Sequence, residues 1–397
     1  MLKIPIVIAA YNRLEPLTRL LQSLAKAVYP LDVKLIISID GGGGNQTIID
    51  TANRFEWKHG EKQVIVHDVN LGLRKHILKC GELTKYYDGI VLLEDDLYVS
   101  PYFYTYALQA QNAYRNEQSI AGIALYSHQY NETATLPFRP LDDGYDVYFM
   151  QLACSWGQSW LAHQWAGFES WYNLNSKLDL IGDSVVPPDV RLWPESSWKK
   201  YFLKYILEKD KYFVYPKISL TTNFADPGVN HLGTNIHQVP LLYRDKEYIF
   251  PELCKSIAKY DCYCEIDPAS LSGLNNELAG IDFEVDLYGM KNINDISSEY
   301  VITTQTVKKS VSSFGRKLKP HELNVIENIE GNEIRLSLTR DMADYGVFVR
   351  YRNHVNQSYD RTHAYFYQIT KDHYKPTLPQ KNVSFIKRLY NKVRRVF

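Results

Sequence analysis

Residues Ile90–Asp96 read Ile-Val-Leu-Leu-Glu-Asp-Asp, an apolar run that ends on three carboxylates. Such a run suits a buried central strand, and ionised groups are not tolerated inside one without partners. The chain is therefore expected to leave the sheet at Glu94, so that Glu94, Asp95 and Asp96 face a crevice at the strand's carboxyl end. Open α/β sheets bind ligands there. Clustered carboxylates with no Lys or Arg beside them in sequence suit a hard dication, Mn2+ or Mg2+, which commonly also holds substrate phosphates. The plain alternative is a solvated acidic turn.

The first hundred residues supply the frame. Strand-like runs at Ile4–Ala9, Val33–Ile39, Gln63–His67 and Ile90–Leu93 alternate with helical spacings at Leu14–Val28, Thr47–Trp57 and Leu73–Tyr86. This alternation implies βαβ units and a doubly wound, mostly parallel α/β sheet with every strand's carboxyl end on one edge. Polar residues follow those ends: Ala10-Tyr11-Asn12-Arg13, then Asp40-Gly41, then Asp68 through Arg74. Asp40 suits a ribose hydroxyl or a base edge, and is equally common as a turn or cap residue. The Gly41–Gly44 run has neither Gly-Lys-Ser/Thr nor G-x-G-x-x-G and reads as a turn.

Farther on, Pro101–Tyr114 reads as a helix and Tyr148–Leu152 as a strand leading into Ser155-Trp156-Gly157. Trp156 and Trp160 suit either a sugar face or the core, and His67 and His163 read as structural. Glu195–Lys209 has helical spacing with Trp198, Phe202, Tyr205 and Ile206 inward, and Phe213–Tyr215 and Ile218–Thr221 read as short strands. Asn223–Gly233 is turn-rich, carries His231 and has the composition of a lid. After about residue 240 strand-like runs recur at Asp282–Leu287, Tyr300–Thr304, Glu333–Leu338 and Gly346–Tyr351 without a catalytic constellation.

The bulk composition excludes more than it selects. Lys+Arg and Asp+Glu both number 45, so no global charge draws the chain to nucleic acid. The five cysteines follow no zinc spacing and suit reduced thiols. The amino terminus lacks the pattern of a secretory signal, and no apolar run approaches a membrane span. A cytoplasmic protein is expected, and the four Asn-x-Ser/Thr triplets are read as chance. Residues 385–397 carry Lys387, Arg388, Lys392, Arg394 and Arg395 and no acid. As an amphipathic helix this tail suits the anionic inner face of a membrane.

Taken together, these motifs resemble the GT-A glycosyltransferases. Ile8-Ala-Ala-Tyr-Asn-Arg13 resembles the opening of family 2 members, and Asn70-Leu71-Gly72-Leu73-Arg74 is similar to their Asn-x-Gly segment. The stretch from Val91 to Phe103 is similar to the Glu-Asp-Asp-Leu region of the N-acetylglucosaminyltransferase I group. The order Ser155-Trp156-Gly157, Trp193-Pro194, Trp198, Tyr215-Pro216 and a glycine-rich loop resembles that group as well. The resemblance covers residues 1–240 and implies a GT-A nucleotide-sugar domain there, an accessory α+β region over 241–384, and the tail helix.

The resemblance implies an inverting, metal-dependent transfer from a nucleoside-diphosphate sugar, UDP by likeness, to a hydroxyl of a glycan or lipid-linked oligosaccharide in surface polysaccharide synthesis. It makes Asp96 a metal ligand and His231 a second. Glu94 and Asp95 would contact ribose and donor sugar, and Asp40, Ala10 and Asn12 the base. Arg13, Arg74, Trp156 and Gly157 complete the donor set. The relatives place an acid pair before the helix tryptophan; here the stretch is Glu195-Ser196-Ser197-Trp198, so Glu195 is the nearest candidate base and Asp226 its rival. Three other readings compete. A nucleotidyltransferase would carry a Gly-rich basic loop after the first strand, a non-catalytic carbohydrate-binding protein could dispense with the acids, and a metal hydrolase would need more histidines.

Overall fold

The chain enters through Pro5, which has no N–H to give a ladder, and the first strand starts only past it: β1 is Ile6–Ala10, two residues later than the apolar run begins. In the computed structural model residues 2–343 are described, apart from 43, 184, 225 and 227–236, and all belong to one compact unit. The expected strand at Gly346–Tyr351, the tail helix over 385–397 and His231 lie outside the described residues.

The alternation holds through the first hundred residues. Helix α1 (Leu14–Ala25) follows β1 and buries Leu17, Leu20, Leu21 and Leu24 on one face. Then come β2 (Leu35–Ile39), α2 (Gln46–Arg54), β3 (Lys62–Val66) and α3 (Gly72–Gly81), which tightens into a 3-10 turn over Glu82–Tyr86. Strand β4 (Gly89–Glu94) is buried up to Leu93 and ends on Glu94, where the carboxylates begin. After a turn at Asp95–Asp96 the short β5 (Leu97–Val99) leads into α4 (Phe103–Ala113).

Strands β6 (Ile120–Ala124), β9 (Val147–Met150), β10 (Gln158–Leu161), β11 (Tyr212–Pro216) and β13 (Lys259–Tyr260) complete the main sheet; β7 (Tyr130–Asn131) and β8 (Leu136–Pro137) form a small separate hairpin. The nine-stranded order is β13-β9-β11-β6-β10-β4-β1-β2-β3. Its β4-β1-β2-β3 portion is parallel, as expected, and β10 runs antiparallel between β4 and β6. The fold is thus α/β with a mostly parallel sheet. Strand β3 lies at the edge, half exposed, whereas β1 and β2 are buried throughout.

Two elements depart from the sequence reading. Helix α5 (Ala162–Asn175) gives no clean periodic signal, because its apolar residues are aromatics interleaved with polar groups; Trp165, Phe168 and Trp171 are nevertheless buried. Trp160 is fully buried against Trp165, Trp198 and Phe202, a core residue rather than a sugar platform. The strand expected over Ile218–Thr221 forms as β12 (Thr221–Asn223), which leaves the main sheet and pairs antiparallel with β5.

The short α6 (Pro188–Arg191) precedes α7 (Lys199–Glu208), which begins four residues past Glu195, because Pro194–Ser197 form a turn. Beyond residue 260, α8 (Pro268–Leu274) and α9 (Glu322–Ile326) accompany a four-stranded sheet of β14 (Phe283–Asp286), β15 (Tyr300–Thr303), β16 (Ser312–Phe314) and β17 (Ile334–Leu338), ordered β14-β15-β17-β16. Strands β14, β15 and β17 match the expected runs within about a residue, whereas β16 falls where no strand was expected. Lys291, 7 % exposed, reaches Asp261 at 2.7 Å and ties this sheet to the segment after β13. All five cysteines are free thiols, and no helix among the described residues is long and apolar enough to cross a membrane.

Candidate active site

Chain order reverses at β1: β2 and β3 extend the sheet on one side, β4 on the other. Such a switch point opens a crevice at the strands' carboxyl ends. The β1/β4 register pairs Ala9 with Glu94, so Ala10–Arg13 and Glu94–Asp96 emerge side by side. Asp95 is 3 % exposed and Asp96 about a quarter exposed at its side chain. The turn they form is therefore withdrawn from solvent at Asp95 and only partly open at Asp96.

Arg13 bridges the two chain ends. Its guanidinium donates to Asp96 Oδ2 at 2.9 Å and to Asp95 Oδ1, while the Tyr11 N–H approaches Asp95 Oδ2 at 3.4 Å. Burial disfavours the charge on Arg13, but the two carboxylates hold it protonated above its ordinary value. Burial also raises the Asp95 carboxyl to about 6, helped by Asp96 and resisted by Arg13. Glu94 is pushed up to about 8 by burial and by the neighbouring Asp96 and Asp95, with Arg13 and Lys199 pulling back. Burial and the neighbouring carboxylates thus favour the neutral form of Glu94, which suits a hydroxyl contact.

The acids offer a hard dication only a short donor set. Among the described residues no three His, Cys, Asp or Glu side chains converge on one point. Both Asp95 oxygens are engaged. Asp96 has one oxygen on Arg13, and its other oxygen accepts no hydrogen bond among the described residues. A cation held by one carboxylate needs its remaining ligands from water and substrate phosphates, which is the ordinary habit of Mg2+ and its analogues. The residues fit a metal in that form only, and Asp96 is the side chain that would hold it.

Asp40 is 4 % exposed and closes the second strand end. Its Oδ1 accepts from the N–H groups of Gly41 (2.9 Å) and Leu71 (2.8 Å), and its Oδ2 from Gly72 (3.0 Å). Gly72 adopts φ +74°, a conformation that only glycine takes without strain, and this turns the chain into α3. The Asp40 carboxylate thus fixes the Asn70–Arg74 segment, and Asn70 in turn donates to the Tyr11 hydroxyl at 2.9 Å. Ala10 is buried and Asn12 exposed at the mouth.

Arg74 and Glu195, distant in sequence, come together. Arg74 Nη1 lies 3.7 Å from Glu195 Oε2, and its guanidinium carbon 5.0 Å from the Tyr201 ring centre. Lys200 donates to Glu195 Oε1 at 2.5 Å and the Tyr201 hydroxyl to Oε2 at 2.7 Å, and these bonds hold the exposed carboxyl below its ordinary range. Asp226 is ion-paired elsewhere, with Arg19 of α1, whose guanidinium stacks 3.9 Å from the Phe224 ring. The β12/β5 pairing sets Asn223 opposite Leu97, so the loop carrying Asp226 departs beside the carboxylate turn.

Trp156 is half-buried in an aromatic group with Tyr126, His128 and His237. Gly157 has φ +89° and lies so close to Thr221 that a Cβ would come within 2.9 Å of its methyl. Lys199, His128 and Asp189, which gather near these rings, follow no motif in the sequence. The one available signal was a lysine directly after Trp198, in a segment already rich in tryptophan.

No protein-family model matches the chain, and no curated protein matches it. Solved structures share parts of its course at low similarity. Staphylococcus aureus TarS is 12 % identical over 55 % of this chain and 36 % of its own, with a TM-score of 0.34. The mannosyltransferase PcManGT from Pyrobaculum calidifontis, in complex with GDP-Man and Mn2+, is 7 % identical over 40 % of this chain and 44 % of its own (TM-score 0.30). GalNAc-T7, with UDP, GalNAc and Mn2+, is 11 % identical over 59 % and 46 % (TM-score 0.39). The chain therefore spans less than half the length of each of these proteins.

Proposed function

We propose that this chain is a GT-A-type, inverting glycosyltransferase that moves a sugar from a nucleoside diphosphate to a glycan or lipid-linked hydroxyl. The observation that carries the reading is the meeting of Ala10–Arg13 and Glu94–Asp96 at the β1/β4 switch point. The buried Arg74 Nη1, 3.7 Å from Glu195, has no hydrogen-bond partner among the described residues, which suits a phosphate oxygen. Asp96 would hold a Mn2+ or Mg2+ ion, whose charge offsets that developing on the departing diphosphate. Glu94 as a neutral acid donates to a donor hydroxyl, and Glu195 takes the acceptor's proton, with Asp226 as the rival. A single displacement needs one base and no protein nucleophile.

The test is thermal unfolding with UDP, GDP, dTDP or CMP, each with and without Mn2+. Because the protein's own ligands are few, Mn2+ alone is expected to leave the transition unmoved. One nucleotide with Mn2+ should stabilise by about 2.7 kcal/mol at a hundredfold excess over Kd. No shift with any combination removes the transferase reading.

Glu195→Gln is expected to keep nucleotide binding and to lose roughly 10²–10⁴ of turnover. Since Lys200 and Tyr201 keep this carboxyl ionised below its ordinary 4.5, the acid limb of kcat/KM should lie below that value. Normal turnover in this variant transfers the role to Asp226.

A further inference from the structure

Helix α7 carries three buried lysines near its start: Lys199, Lys200 and Lys204. Lys200 pairs with Glu195 at 2.5 Å and Lys204 with Asp183 at 2.6 Å. Lys199, 8 % exposed, has no recorded ion pair or hydrogen bond among the described residues. Its ammonium instead lies 5.4 Å from the Trp156 ring and 5.1 Å from that of Trp193. Two indole faces hold a cation in part, but a buried ammonium ordinarily also has an anion.

A second group is unpartnered at the same place. His128 is 3 % exposed, and its Nε2 has no hydrogen-bond partner among the described residues. Burial, and then the charge of Lys199, hold this imidazole neutral. Both side chains line one cavity of about 20 Å³, which Glu132, Thr133 and Asp189 share. That volume is little more than one water needs, so it takes an oxygen of a terminal group and not a sugar ring. The β10/β4 register pairs Gln158 with Leu92, which brings Trp156, against the Lys199 ammonium, toward the end of β4 that carries Glu94.

We propose that the cavity receives the acidic substituent of a sugar substrate, a carboxylate or a phosphate, whose oxygens bond Lys199 Nζ and His128 Nε2 while the ring lies against Trp156 and Trp193. An anion completes the lysine, and its oxygens satisfy the orphaned imidazole nitrogen. Asp189, already accepting from Thr133 at 2.8 Å, and Glu132 suit the hydroxyls beside that group. The inference rests on the glycosyltransferase reading and adds an acidic sugar to its substrates.

Ligand-observed saturation-transfer NMR on the full chain tests it with methyl glucuronoside, methyl glucoside 6-phosphate and methyl glucoside. One acidic glycoside is expected to bind at least about tenfold more tightly than the neutral one, a difference of about 1.4 kcal/mol. Which of the two it is distinguishes carboxylate from phosphate. Lys199→Gln should abolish the preference, Lys199→Arg should retain part of it, and His128→Gln should weaken it independently. Equal binding of all three glycosides overturns the proposal, as does a preference that survives Lys199→Gln. So does loss of nucleoside-diphosphate stabilisation in Lys199→Gln with no acidic glycoside bound to wild type, because the lysine then serves the donor. Failure of the transferase reading is separate: wild type would respond to no nucleotide.

Discussion

Asp96→Ala is expected to lower kcat/KM by roughly 10²–10³-fold or more, the loss usual when a preorganised charge-stabilising group is removed. The reason is the short donor set. Asp95 is spent on Arg13 and Tyr11, and burial disfavours the charge on Glu94, so neither neighbouring acid is placed to replace Asp96. The fold should survive. The Arg13–Asp96 contact is partly exposed, and such pairs contribute at most about 1 kcal/mol. Circular dichroism and urea unfolding establish that the variant is native, and a donor-hydrolysis assay reads the activity. A native Asp96→Ala protein with wild-type turnover would exclude Asp96 from the chemistry.

Asp40→Ala should instead act on stability first. The substitution strands the N–H groups of Gly41 and Leu71, whereas Gly72 keeps its second acceptor, Asn70 Oδ1 at 2.8 Å. An unsatisfied buried donor costs about 1–3 kcal/mol, and water can reach that of Leu71 in its half-buried turn. A net loss of about 1–3 kcal/mol is expected in urea unfolding. Because the same segment carries Arg74, KM for the donor should rise as well. Asp40→Asn, which retains one acceptor oxygen, should lie between wild type and the alanine variant. A loss below about 0.5 kcal/mol for Asp40→Ala would mean that this carboxylate does not hold the segment.

These two aspartates also separate two kinds of sequence information. Asp96 follows a run too apolar to be anything but a central strand, so its place at a strand end is readable from hydrophobic burial alone. Asp40 also follows a strand, and its type and position equally allow a ligand contact. Only the coordinates reveal that three backbone donors from two segments surround it. Arg13 is a sharper case. No spacing rule links it to acids more than eighty residues away, yet the sheet order makes β1 and β4 neighbours and the guanidinium joins their ends.

Local pattern thus determined the alternating strands and helices of the first hundred residues, the parallel sheet they imply, and the edge on which the polar residues collect. Those features follow from periodicity and chain connectivity, both written in the order of residues. Tertiary structure decided the antiparallel insertion of β10, the aromatic helix α5, the ion pairs around Glu195 and Asp226, and the solitary ammonium of Lys199. Each depends on which distant surfaces meet. Burial and charge at a point are sums over neighbours from many parts of the chain, and no single stretch of sequence contains that sum.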